Sequence, residues 1–236
     1  GCVLPGDFEI KAGKIRGEES NGMICSIAEL GIESKFLTEE DKTGIYELPS
    51  DAKAGEDPIK YMQMDDSVID FELTANRGDL LSILGMAYEI GAIYDKKVKD
   101  IDLSHKENGN DVNESFSVDI KTNNCSLFLA KKVKNVEIKE SPAFIKNRLI
   151  ASGIRPINNV VDISNYVMLE VGQPLHFYDA DKLKNKLEVR MAKENEKLVT
   201  LDNIERTLSE NDIVISDGEK SIGLAGVMGG LETEVT

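Results

Sequence analysis

Of the two histidines in the 236-residue chain, His176 is the one whose setting suits chemistry. It follows Gly172-Gln173-Pro174-Leu175, which cannot continue a helix, and precedes Phe177-Tyr178-Asp179. A histidine on a tight loop among aromatics can present its ring to a cleft, where a neutral imidazole orients a water or a ribose hydroxyl. From spacing alone, a packed or surface histidine remains the commoner case. His105 lies in the polar run 102–114 and reads as a solvated surface residue. No Ser-His-Asp or Cys-His arrangement can be assembled, and no GxSxG elbow occurs, so no protein nucleophile is indicated. Asp162, Glu170, Asp179 and Asp181 mean little individually in so acidic a chain, and Asp162 reads as a solvent-facing or capping group rather than a base. The stretch GLAGVMGG at 223–230 fits neither the GxGxxG nor the Walker spacing. Its glycines either serve the strand itself or let a backbone or ligand approach closely.

Charge and composition narrow the possibilities. With 28 Lys+Arg against 43 Asp+Glu, the net charge is -15, which repels polyphosphate at long range. RNA contact would need a local patch, for which Lys11, Lys14, Arg16 and then Lys131, Lys132, Lys134 are candidates beside the plainer reading of solvated strand faces. Cys2, Cys25 and Cys125 lack CxxC spacing and neighbouring histidines, which argues for free thiols rather than metal ligands. No apolar run approaches the roughly 20 residues of a membrane-spanning helix, and a cytoplasmic location is expected. The opening GCVLPGDFEIKAGK has no initiator Met, and GLETEVT ends without a cap, so the chain reads as an internal piece.

The elements that must position these residues follow from periodicity. A hairpin is expected around Phe8–Ile10 and Met23–Cys25, and Ser26-Ile27-Ala28-Glu29 fits a capping box opening a short helix that Gly31 ends. Residues 68–73 read as a strand, and after Arg77-Gly78-Asp79 a helix is expected from Asp79 to about Tyr94, burying Leu80, Ile83, Leu84, Ala87 and Ile90. The tripeptide's match to a cell-adhesion motif is taken as coincidence. Beyond the linker at 102–114, strands are expected at 116–120 and 126–133. A helix opens at Ser141-Pro142 and stops at Gly153, and another, capped by Asn158 or Asn159, stops at Gly172. From Leu187 the period becomes two, with strands at 197–201, 212–216 and 221–228 separated by Asp202-Asn203 and Asp217-Gly218 turns. Helices followed by antiparallel strands imply an α+β domain.

Four stretches, SNGMICSIAELGI at 20–32, LTANRGDLLSILGMAYEIGA at 73–92, GIRPINNVVDISNYVMLEVGQPLH at 153–176 and GLAGVMGG at 223–230, resemble in order the bacterial phenylalanyl-tRNA synthetase β subunit. The resemblance implies a multidomain α+β piece. Residues 1–40 would finish an OB-type tRNA-binding barrel, 41–101 form a small mostly helical domain, 102–114 link, and 115–236 make most of a tRNA-editing domain with a mainly antiparallel sheet. It implies hydrolysis of tyrosine misesterified to tRNA(Phe), within an enzyme that attaches phenylalanine, because a synthetic pocket discriminates incompletely against one added hydroxyl. His176 matches the family's site histidine, Ser164-Asn165 its Thr-Asn pair, and Gly229, with Gly230 beside it, a substrate-pocket glycine.

No cofactor is implied for this stretch, whereas the complete enzyme would use ATP and Mg and pair with α subunits in a heterotetramer. Two departures stand out. Ser164 replaces the usual Thr, and Phe177-Tyr178 replaces Ala-Phe; the family's downstream glutamate strand would also follow Thr236. A non-catalytic tRNA-binding and subunit-scaffolding module and a free-standing editing deacylase are the alternatives.

Overall fold

The structure, a computed structural model, describes residues 2–39, 41–107, 109 and 111–235. Its regular elements are β1 (Val3–Leu4), β2 (Phe8–Glu9), β3 (Gly13–Ile15), β4 (Glu18–Ser20), α1 (Pro58–Tyr61), α2 (Ile83–Tyr94) and β5 (Ser117–Ile120). There follow α3 (Ala143–Ala151), α4 (Asn159–Val171), β6 (Lys186–Met191), β7 (Lys197–Val199), β8 (Glu205–Thr207), β9 (Ile213–Ser216), β10 (Ser221–Leu224) and β11 (Met228–Gly229). Contacts divide the chain into one unit of Gly1–Ala75 with Glu140–Tyr166 and another of Asn76–Lys139 with Val167–Thr236, the division falling inside α4.

In the first unit, β1 pairs with β2 and β3 with β4 as short antiparallel ribbons. Ile145 and Leu149, four apart, form the buried stripe of α3. Gly153 has φ +78°, and the N–H groups of Gly153 and Ile154 reach back to Ile150 (2.9 Å) and Leu149 (2.8 Å), closing the helix in a Schellman motif. Asn158 Oδ1 accepts from the N–H groups of Val160 and Val161 at 3.1 and 3.0 Å, as an N-cap should. Asp162 departs from its expected solvent-facing place. It is 1% exposed and accepts from the Ser141 hydroxyl at 2.5 Å and the Ile157 N–H at 2.8 Å, tying the starts of two helices together.

The second unit holds a five-stranded sheet in the order β11-β10-β9-β6-β5, mixed because β5 runs parallel to β6 while the other pairings are antiparallel. Together with the helices it makes a mixed α+β fold. On β6 the period of two places Leu187 and Val189 in a core with Ile215 and Ile222, against which Phe116, Cys125, Phe128, Tyr178 and Leu183 pack. Burying each large aliphatic chain stabilises by about 1.5–3 kcal/mol. Ala192, Leu198, Leu208 and Val214 form a neighbouring cluster. On the other face of β6 the Arg190 guanidinium grips the Glu196 carboxylate through two bonds, 2.9 and 2.7 Å, with both side chains 14% exposed.

Several expectations need correction. Helix α2 starts at Ile83, not Asp79: residues 78–81 form a 3-10 turn, and Ser82 is the cap, its hydroxyl accepting from the Gly85 N–H at 3.0 Å. Asp79 cannot cap because Arg77 holds its carboxylate, while also reaching Glu89 on α2 at 2.7 Å. Nor does α2 bury the expected face, since Ile83 is 66% and Ile90 43% exposed. Residues 23–25, 68–73 and 126–133 form no strand, because no hydrogen-bonded neighbour strand meets them among the described residues. At Ser26 and Glu29 the capping-box bonds are made, 2.7 and 3.4 Å, around a turn rather than a helix.

Candidate functional site

The end of α4 sets up the site in the second unit. Gly172, at φ +78°, stops the helix, and the chain continues through Gln173-Pro174-Leu175 to His176. Asp179 then anchors the loop. Its N–H donates to the Thr233 carbonyl at 3.1 Å, its carboxylate caps the 3-10 turn Ala180–Lys182, and Lys182 Nζ donates to the Glu234 carbonyl at 2.8 Å. These bonds stitch the loop to the chain that leaves β11.

The imidazole of His176 lies against the bare Cα of Gly229: a Cβ there would overlap ring atoms Cε1 and Nε2. Tyr178 meets the same imidazole edge-on, ring centroids 4.5 Å apart at 78°. Gly223 and Gly229 are paired across β10 and β11, and a Cβ on Gly223 would lie 3.5 Å from the Tyr178 hydroxyl. Two rings thus stand over a two-glycine floor.

His176 keeps an exposed edge, yet enclosure of its ring lowers the pKa below the usual 6.5, so the imidazole is neutral at physiological pH. Burial pushes the Tyr178 phenol up to about 12, leaving it protonated. A neutral acceptor and a neutral donor over bare backbone suit the positioning of a water or a polar ligand group.

Of the residues expected at a site, His176 and Gly229 are in contact. Gly230 is turned elsewhere: a Cβ would lie 2.6 Å from the Ile222 carbonyl oxygen and 3.2 Å from a Leu198 methyl, so backbone packing already requires glycine there. Ser164 and Asn165, both half-buried, belong to the first unit, and the Ser164 hydroxyl donates to the Val161 carbonyl at 2.7 Å, leaving its lone pairs free to accept. His105 is exposed in the linker. Sequence reasoning missed Gly223 as the second floor residue; a hairpin register through 225–227 is the signal that pairs it with Gly229.

Residues 124–236 match the model of the B3/4 domain family. Over its whole length the chain is 50% identical to the phenylalanine–tRNA ligase beta subunit of Bacillus cereus strain ZK / E33L, 49% to that of Geobacillus kaustophilus and 48% to that of Bacillus subtilis strain 168. It spans 30% of the length of each of these relatives. Both comparisons support the kinship expected from the motifs, with beta subunits of phenylalanine–tRNA ligase.

Proposed function

We propose that the chain is part of a phenylalanine–tRNA ligase beta subunit and that its His176 site hydrolyses the ester of tyrosine misattached to tRNA(Phe). The observation that carries this reading is the neutral imidazole held over Gly229 beside Tyr178. An aminoacyl ester is already activated, so placing a water against its carbonyl and gripping the 3′-terminal adenosine suffice without a covalent intermediate. The water oxygen bonds to the carbonyl carbon, the bond to the ribose oxygen breaks, and that oxygen takes up a proton, giving tyrosine and free tRNA. His176 accepts a hydrogen bond from the water or the ribose hydroxyl. Ser164 and Asn165 are assigned to substrate positioning by resemblance alone. In the complete enzyme the partners are tRNA(Phe) and the α subunit, ATP and Mg serve the synthetic reaction, and the setting is the cytoplasm.

Deacylation of Tyr-tRNA(Phe) by the complete enzyme tests the reading. His176→Ala should slow it about 10- to 100-fold while phenylalanylation persists; undiminished deacylation sinks it. The pH profile is a second check. Since the active imidazole is neutral and burial depresses its pKa, the fall in rate on acidification should have its inflection below pH 6.5. An inflection above 6.5 would contradict the assignment.

The exposed apolar side chains of α2, Ile83 (66%), Ile93 (68%) and Tyr94 (69%), favour a second role in scaffolding. Capture of the α subunit by a chain whose complete enzyme has no deacylase activity would favour that role over hydrolysis.

A further inference from the structure

We propose that Tyr178 is a further substrate-binding residue of the same site, its hydroxyl supplying a hydrogen bond to the ester–ribose end of an aminoacyl-adenosine ligand beside His176. This rests on the hydrolytic reading above and goes beyond it, because that reading gives the Tyr178 hydroxyl no role.

The argument begins with a hydroxyl that has no partner. The Tyr178 ring packs against the core of Leu187, Val189, Ile215 and Ile222, a role that phenylalanine would fill equally well. Its oxygen makes no hydrogen bond among the described residues, and burial is the sole cause of its raised pKa. Tyr178 is half-buried rather than sealed in, and among the described residues the fully buried side-chain polar atom without a partner is Asp217 Oδ2. Buried tyrosines ordinarily pair their hydroxyls, and this one is held above two glycines at the edge of an imidazole instead.

Exposure explains why a ligand can reach it, since His176 is exposed and Tyr178 only half-buried. The His176 ring fills the space that a Gly229 side chain would take, the Tyr178 hydroxyl stands 3.5 Å from where a Gly223 Cβ would lie, and the register sets the two glycines directly opposite each other, so the rings rest side by side. A narrow group with adjacent oxygens, such as a ribose carrying an ester, can meet the accessible edges of both rings at once. The phenol remains a donor throughout the range in which the imidazole is a neutral acceptor, so the two offer complementary hydrogen bonds.

Two substitutions isolate the hydroxyl. Tyr178→Phe deletes it and keeps the packing. Gly223→Ala puts a methyl against it, with contacts of 3.5 Å to the hydroxyl and 3.7 Å to Gly229 Cα and the Met228 carbonyl, which are ordinary van der Waals distances. Each variant of the complete enzyme is compared with wild type for Tyr-tRNA(Phe) deacylation, for binding of the stable amide analogue of 3′-tyrosyl-adenosine, and for melting temperature. The expected result is analogue affinity weakened about 10-fold in both variants, KM rising more than kcat falls, and unchanged melting. Wild-type binding and kinetics in both, alongside an inactive His176→Ala enzyme, would overturn the role of Tyr178 and leave the hydrolytic reading intact. Failure of wild type itself to bind the analogue or deacylate would overturn both.

Discussion

Gly230→Ala should destabilise the fold, whereas Gly229→Ala, one residue earlier, should leave the fold standing and disable the site. At position 230 the new methyl would sit 2.6 Å from the Ile222 carbonyl oxygen and 2.9 Å from its carbon, neither of which can move without breaking the 2.7 Å bond from the Gly230 N–H to that oxygen. Overpacking against backbone costs about 3 kcal/mol, a large part of the 5–15 kcal/mol typical of a domain. At position 229 the overlap is with the end of the His176 side chain, which can swing away. The fold tolerates that, but the imidazole leaves the floor. Denaturant unfolding should therefore separate the neighbours: a markedly lower midpoint for Gly230→Ala, a near-normal midpoint for Gly229→Ala, and deacylation lost about 10-fold or more in the latter. Equal stability of the two variants would contradict the geometry.

Glu196→Ala should be as damaging, although the residue is nowhere near His176 in the sequence. The substitution strips Arg190 of its two carboxylate bonds and leaves a guanidinium only 14% exposed with the looser Glu188 contact, at 4.0 Å, as its remaining counter-charge. Leaving a buried charge wholly uncompensated costs about 3–5 kcal/mol, and the retained Glu188 contact puts this loss at the lower end, about 3 kcal/mol. Glu196 also accepts from the Lys193 N–H at 2.8 Å and from the Ser221 hydroxyl, which joins β10 to the same network. The Arg190 bonds are the main reason its carboxyl is held down at about 2 rather than 4.5. The unfolded chain, with the ordinary value, takes up a proton first as pH falls. The contribution is thus complete above pH 4.5 and is lost as pH drops toward 2. It amounts to roughly 3 kcal/mol. Denaturation curves of wild type and Glu196→Gln should converge on acidification; a gap that stays constant to low pH would refute the linkage.

Local signals in the sequence specified local structure well. Asn158 and Gly172 bound α4 as their cap chemistry implies, and the alternation from Leu187 defines both faces of β6. Where the signal needed a partner, it was insufficient. Residues 68–73 and 126–133 have the side chains of strands, but a strand exists only with a ladder, and sequence pattern does not say whether a neighbour will be there. The capping box at Ser26 made its bonds without a helix, since those bonds satisfy a turn equally well. The burial of Asp162, which overturns only the solvent-facing half of its reading, depends on Ser141, distant in the chain. For the site, His176 and the glycine run were visible as unusual residues, but the contact between imidazole and Gly229, and the Tyr178 hydroxyl over Gly223, arise from hairpin register and from the Asp179 bond to Thr233.

The parallel pairing of β5 with β6 governs the order in which the sheet can assemble. From β6 through β11 the strands follow one another closely, so their antiparallel ladders form by closing small loops. β5 is separated from β6 by all the chain that carries α3 and α4, and closing that long loop is entropically costly until β6 is in place to reward it. During synthesis β5 emerges first and docks last, so Phe116 stays uncovered until the C-terminal strands arrive, and refolding from denaturant should be slowest at this seam.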